Sequence, residues 1–79
     1  MKAKILVRLK QTVHDPQGQA IQEAFQHMGY TAFAGVRQGK VFDLELADMP
    51  PAEARKLLEE IGRKVLANPI IEEYSIEME

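Results

Sequence analysis

The 79 residues contain no cysteine. Disulfides, thiolate nucleophiles and thiolate metal sites are thereby excluded together, and stability has to come from packing and from partners. An excess of one charge is also lacking. Ten Lys and Arg stand against twelve Asp and Glu, a net charge of −2, whereas a nucleic-acid groove needs clustered basic excess. No window approaches the roughly 18 apolar residues of a membrane helix, and Met1 to Lys10 alternate like a strand, unlike a signal sequence. A cytoplasmic chain with neither membrane nor nucleic acid as partner is expected.

Catalytic patterns are missing too. His14 and His27 fall on different elements with no companion ligand at metal spacing, so sites of the HExxH or zinc-finger kind are excluded. Ser75 sits on a strand among acidic neighbours, without a histidine base. The adjacent carboxylates Glu59 with Glu60 and Glu72 with Glu73 do not face a common substrate on a helix or strand. Neither a dinucleotide fingerprint nor a P-loop occurs.

What is present is a regular alternation of elements in a single domain spanning residues 1–79. Ile5, Val7 and Leu9 share one face of a first strand. Asp15 is an N-cap, Pro16 fits the first helical position, and Ile21, Ala24, Phe25 and Met28 recur at helical spacing until Gly29 caps the end. An extended run from Tyr30 to Arg37 reads as a second strand, in which Gly35 suggests a bulge or a close backbone approach. Gln38-Gly39 reads as a hairpin turn. Lys40 to Leu46 is a third strand with Phe42, Leu44 and Leu46 inward. After Pro50-Pro51, a second helix presents Ala54, Leu57, Leu58, Ile61 and Val65 inward, with Glu59–Arg63 and Glu60–Lys64 as exposed pairs. Pro69 ends that helix at about Asn68, and a fourth strand places Tyr74, Ile76 and Met78 on one face.

The order β-α-β-β-α-β predicts a ferredoxin-like α+β sandwich. A four-stranded antiparallel sheet would carry both helices on one face, with strand order four, one, three, two. The first strand is then central, and Lys4, Arg8 and Lys10 can meet Asp43, Glu45, Glu73 and Glu77 across the open face. That face fits solvated surface or half of a dimer interface equally well.

Three places invite a functional reading beside a structural one. Asp15-Pro16-Gln17-Gly18 is a well-capped helix start, yet glycine in a first turn costs roughly 1 kcal/mol unless a neighbouring chain or ligand needs the bare backbone. Arg37-Gln38-Gly39-Lys40 is a basic hairpin tip able to grip an acidic surface or a phosphate, or simply a turn. Asn68 and Glu72, in the junction from Leu66 to Tyr74, end a helix and could contact a partner.

Taken in order, Leu9-Lys10, Asp15-Pro16-Gln17-Gly18, Val36-Arg37 with Gly39-Lys40, and Leu66-Ala67-Asn68 with Ile71-Glu72 and Tyr74 resemble the PurS family. PurS is the small subunit of phosphoribosylformylglycinamidine synthase. The likeness spans nearly the whole chain; His14, Pro69 and the Ala47 to Pro51 turn are mild departures. It implies a role in de novo purine synthesis, in which a glutaminase subunit (PurQ-type) releases ammonia. A synthetase subunit (PurL-type) then uses ATP and magnesium to turn formylglycinamide ribonucleotide into the amidine. The resemblance implies a dimer-forming accessory subunit that joins those partners in a glutamine-dependent C–N ligase, binding no cofactor and having no catalytic residues itself. Asp15, Pro16, Gln17, Gly18, Arg37, Gly39, Lys40, Asn68 and Glu72 are then partner-contact residues. Two alternatives share the element order. An ACT-like module would bind an amino acid between subunits, and an RNA-binding sheet would need exposed aromatics where Leu6, Arg8, Val41 and Asp43 stand.

Overall fold

A computed structural model describes all 79 residues. Strand β1 spans Lys2–Leu9, helix α1 Pro16–His27, strand β2 Gly39–Glu45, helix α2 Pro51–Ile61 with a wider turn over Gly62–Leu66, and strand β3 Glu72–Met78. The sheet is antiparallel with order β2-β1-β3. β1 is central, as the alternation of its side chains requires. Ala3, Ile5 and Val7 point to a helix-covered face and are buried, while Lys2, Lys4 and Arg8 point to the open face. On that open face Lys4 lies opposite both Asp43 and Glu77, and Arg8 opposite Glu73. Lys4 reaches Asp43 at 3.9 Å and Arg8 reaches Glu73 at 3.5 Å. Exposed pairs of this kind chiefly hold register.

Helix α2 covers β1 and β3. Leu58 is fully buried against Ile5 and Val7, and Ala3 and Ala67 complete the core cluster. The Tyr74 ring packs under Gly62, where a β-carbon would come within 2.9 Å of it, and the Tyr74 hydroxyl donates to the Glu59 carbonyl at 3.2 Å. Beyond Ile61 the helix widens. The amide of Ala67 donates to the carbonyl of Gly62 at 2.9 Å, five residues back, which is the π-helical spacing. This wide turn corrects two sequence expectations. Val65, expected inward, is 74% exposed because the extra residue swings it off the core-facing stripe. Glu59 pairs with Arg55 at 3.6 Å rather than with Arg63, whereas Glu60–Lys64 forms as expected at 2.8 Å.

Two larger expectations are also corrected. The sheet has three strands, not four, and only one helix covers its inner face. No residue of α1, nor of the Tyr30 to Val36 run that follows it, belongs to the core or packs against it. Together they form an arm beyond the sheet, with Phe25 stacked on Phe33 at 4.9 Å and Tyr30 edge-on to Phe25 at 6.5 Å. The molecule measures 49 × 25 × 14 Å with a radius of gyration of 16.0 Å, against about 12 Å for a compact chain of this length. The cause lies at the expected hairpin. The Gln38 amide is taken by Asp15, and Gly39 already pairs opposite Arg8 within the sheet. The chain therefore runs on from 36 to 40 without reversing. Gly35, expected at a bulge, meets nothing within 4 Å.

Candidate functional site

The base of the arm is organised by one carboxylate. Asp15 precedes α1 and is 5% exposed. Its Oδ1 accepts the Gly18 amide at 2.9 Å and its Oδ2 accepts the Gln38 amide at 2.8 Å, so one side chain ties the start of the arm to its end. Those two amides and the nearby Arg37 guanidinium favour the charged form and hold the Asp15 carboxyl below its ordinary value. Arg37 closes the clamp from the other side. Its Nη2 donates to the carbonyls of Lys10 at 2.9 Å and Val13 at 3.0 Å. Gly18 has its explanation here: a β-carbon on it would collide with the Val36 carbonyl oxygen and lie 3.0 Å from Asp15 Oδ2. The bare backbone that the sequence pointed to is needed by the chain itself, where the start of α1 passes the returning run at Val36.

A depressed carboxyl carries a pH dependence of definite sign. The anchor is fully present above the ordinary value and is lost as pH falls through the lowered one. The Gln38 amide resonance should therefore hold its position from about pH 8 to about pH 5. It should move only with a midpoint below 3.8. A midpoint at or above that value would contradict the clamp.

Next to the clamp lies a shallow depression of about 290 Å³. Asp15, Gln17, Gly39, Lys40 and Glu72 line it, so the structure brings five residues singled out in three separate segments to one place. Arg8 and Gln38 join them; Gln38 stood in the basic tip segment without being counted among the partner-contact residues, and Arg8 was expected only to pair across the open sheet face. The signal for Gln38 was its position between Arg37 and Gly39; no signal in the sequence places Arg8 beside them. Arg37 lies on the far side of Gln38, in a second depression shared with Arg8 and Lys40 on the open sheet face. Gly39 is not a hairpin tip. A β-carbon there would come within 2.8 Å of the Val7 carbonyl, so the residue serves close strand approach.

Asn68 does not line the depression. It organises the turn behind it: its carbonyl accepts the amides of Ile71 and Glu72 at 3.2 and 2.7 Å, and its side chain accepts the Ile70 amide at 3.1 Å. Glu72 Oε1 accepts the Asn68 amide at 2.8 Å, fixing the carboxylate at the rim. Pro16 occupies the first helical position, exposed. No group of three or more His, Asp or Glu side chains is placed to hold a metal ion, and no helix is long and apolar enough to cross a membrane.

A small α+β body with a projecting arm and a shallow polar depression at the arm's base defines the class of fold and site. The comparisons agree with it. The family described as PurS, phosphoribosylformylglycinamidine (FGAM) synthase, matches residues 2–79. The Bacillus subtilis FGAM synthase subunit PurS is 40% identical over 99% of this chain and 92% of its own length, and the Methanocaldococcus jannaschii PurS is 32% identical over 99% and 94%. Among solved structures, Bacillus subtilis PurS superposes with a TM-score of 0.88 at 40% identity, covering 99% of this chain and 96% of that one. A chain of PurLQS from Thermotoga maritima superposes equally well, TM-score 0.88 at 27% identity, covering 98% and 95%. The chain belongs to the PurS family, a subunit of FGAM synthase in purine biosynthesis.

Proposed function

We propose that this chain is the assembly subunit of the synthase, joining a glutaminase and an ATP- and magnesium-dependent synthetase while contributing no reacting group. The observation that carries the reading is the convergence of Asp15, Gln17, Gly39, Lys40 and Glu72 from three segments on one polar depression beside the arm base. The Thermotoga maritima neighbour was solved as PurLQS. Lys40, Gln17 and Glu72 offer one cation, one amide and one carboxylate on that surface. Such a set suits charged and amide groups on a protein partner and orients it. Pro16, Arg37 and Asn68 are contact residues in this reading from neighbouring positions, Arg37 from the second depression and Asn68 through the turn that holds Glu72, and Gly18 acts through the arm's geometry. The chain also self-associates in this reading, because its core holds only three large fully buried side chains, Ile5, Leu58 and Val7.

The chemical benefit is positional. Ammonia released from glutamine is lost to water unless the releasing and consuming sites are held together, and fixing two sites in register replaces an encounter with a transfer. The test mixes the chain with its glutaminase and synthetase partners in the presence of glutamine, ADP and magnesium. The three should co-elute. Omitting the chain should lower glutamine-dependent amidine formation by about tenfold or more while sparing formation from added ammonia. Equal glutamine-dependent rates with and without the chain would refute the proposal.

A further inference from the structure

The second depression, on the open sheet face, differs from the rest of the surface in charge. It has a volume of about 300 Å³, and its lining includes Leu6, Arg8, Arg37, Lys40, Val41 and Ser75. Three of these are cations, and no carboxylate lines it. In a chain of net charge −2 that is not average surface. Elsewhere the two signs are mixed. Lys4 shares a depression with Asp43 and Glu45, and Lys56 shares another with Glu59 and Glu60. Even the neighbouring depression beside the clamp sets Asp15 and Glu72 next to Arg8 and Lys40.

The register of the sheet accounts for the gathering. Leu6 lies opposite Val41 on one side and Ser75 on the other, so the three strands lay two aliphatic groups and a hydroxyl in one row across the face. Arg8 points to the same face, and the chain returning through Arg37 to Lys40 comes alongside it at Gly39. The cations are held in place with donors to spare. Arg37 is fastened through Nη2 by the carbonyls of Lys10 and Val13, which are neutral, so its charge remains and its Nε and Nη1 are free. Asp15, whose carboxylate feels that charge, spends its oxygens on the Gly18 and Gln38 amides. Arg8 faces Glu73 through Nε at 3.5 Å and keeps both Nη groups. Lys40 forms no salt bridge.

We propose that this depression binds the phosphate group of a small phosphomonoester, with the apolar or aromatic part of that molecule resting on Leu6 and Val41. The inference is independent of the assembly role. A phosphate dianion carries its charge on three oxygens that point in different directions and accept from separate donors. Two guanidinium groups, an ammonium and a hydroxyl, drawn from β1, β2, β3 and the run before β2, meet that demand from several sides; a single planar carboxylate would use only part of the set. Beside the cations, Val41 is 56% exposed and Leu6 half-buried, an apolar floor that a free ion would leave unused. The volume stands near the lower end of the range for small-molecule sites, which suits one phosphate and one ring.

The test titrates the isotope-labelled full-length chain with phenyl phosphate, with inorganic phosphate and with potassium chloride at matched ionic strength, followed by amide NMR. Phenyl phosphate should shift the amides of Leu6, Arg8, Gly39, Val41 and Ser75 saturably. It should bind about three- to tenfold tighter than inorganic phosphate because its ring covers the apolar floor. Arg8→Gln and Lys40→Gln should each weaken it about fivefold or more while leaving the rest of the spectrum in place. Lys4→Gln removes the same charge from the same strand outside the depression, and should change affinity less than about twofold. Shifts reproduced by chloride, or an equal loss in Lys4→Gln, would overturn the proposal in favour of diffuse attraction. Equal affinity for the two phosphates would overturn it in favour of the free ion. A glutamate-rich peptide that saturates the same amides where phenyl phosphate does not would make the depression a protein contact instead. All of these are read on the chain alone, so a failure here is distinct from a failure to co-elute with the two partner subunits.

Discussion

Leu58→Ala should cost the chain about 3–4 kcal/mol, near the upper part of the range for a buried leucine. Leu58 is fully buried, and only Ile5 and Val7 match it among large side chains. The residues around it are fixed by the sheet ladder on one side and by the helix backbone on the other, so the space left by three carbons cannot collapse. A domain of this size has a total stability of about 4–12 kcal/mol, so one truncation removes a large fraction of it. Urea denaturation followed by circular dichroism gives the number. A loss under about 1 kcal/mol would mean that the cluster of Ile5, Val7 and Leu58 is not what holds helix to sheet.

Gly18→Ala decides a sign. In an ordinary helix the change stabilises by roughly 1 kcal/mol, since alanine loses less conformational freedom on folding. Here the new methyl would strike the Val36 carbonyl, a backbone atom that cannot swing aside. The expected result is a loss of about 1–3 kcal/mol, the usual cost of forcing extra volume into a filled site. The disturbance should remain local. Amides of Gly18 and Gln38 should shift strongly in a heteronuclear NMR spectrum, while those of β1, β3 and α2 should hardly move. An increase in thermal stability would show that Val36 does not cross at Gly18.

How far the sequence could be read varies by element, and each success or failure has a physical cause. β1, β2, β3 and α2 were legible because each carries a periodic face that its own chain buries: Ile5 and Val7 on one strand, Tyr74, Ile76 and Met78 on another, Ala54 and Leu58 on the helix. α1 was legible as a helix because Asp15, Pro16 and Gly29 are local signals, and Gly29 does adopt φ 88°. Its place was not legible. The pattern of Ile21, Phe25 and Met28 says that a face is to be buried, never against which surface. Tyr30 to Arg37 failed as a strand for a related reason, since pairing is a property of two segments and Asp15 had taken the Gln38 amide that a hairpin would have used.

The candidate site was legible as residues and illegible as a place. Gly18 was rightly singled out as a glycine with a task, and the task is performed by Val36. The gathering of Gln17, Lys40 and Glu72 at one depression follows from the register of Arg8 with both Gly39 and Glu73. No motif spacing encodes a register.

The arm joins the body through Asp15 and Arg37 and shares none of its buried core. Melting α1 therefore leaves the packing of Ile5 against Leu58 untouched, and the two parts lose structure with separate free energies. One midpoint of unfolding cannot describe the isolated chain, because two cooperative units report on different events. Amide hydrogens of α1 would exchange through opening at the Asp15 clamp, whereas those of β1 await global unfolding. A single cooperative transition becomes possible only when something covers the arm, and the merging of the two transitions would itself measure that cover.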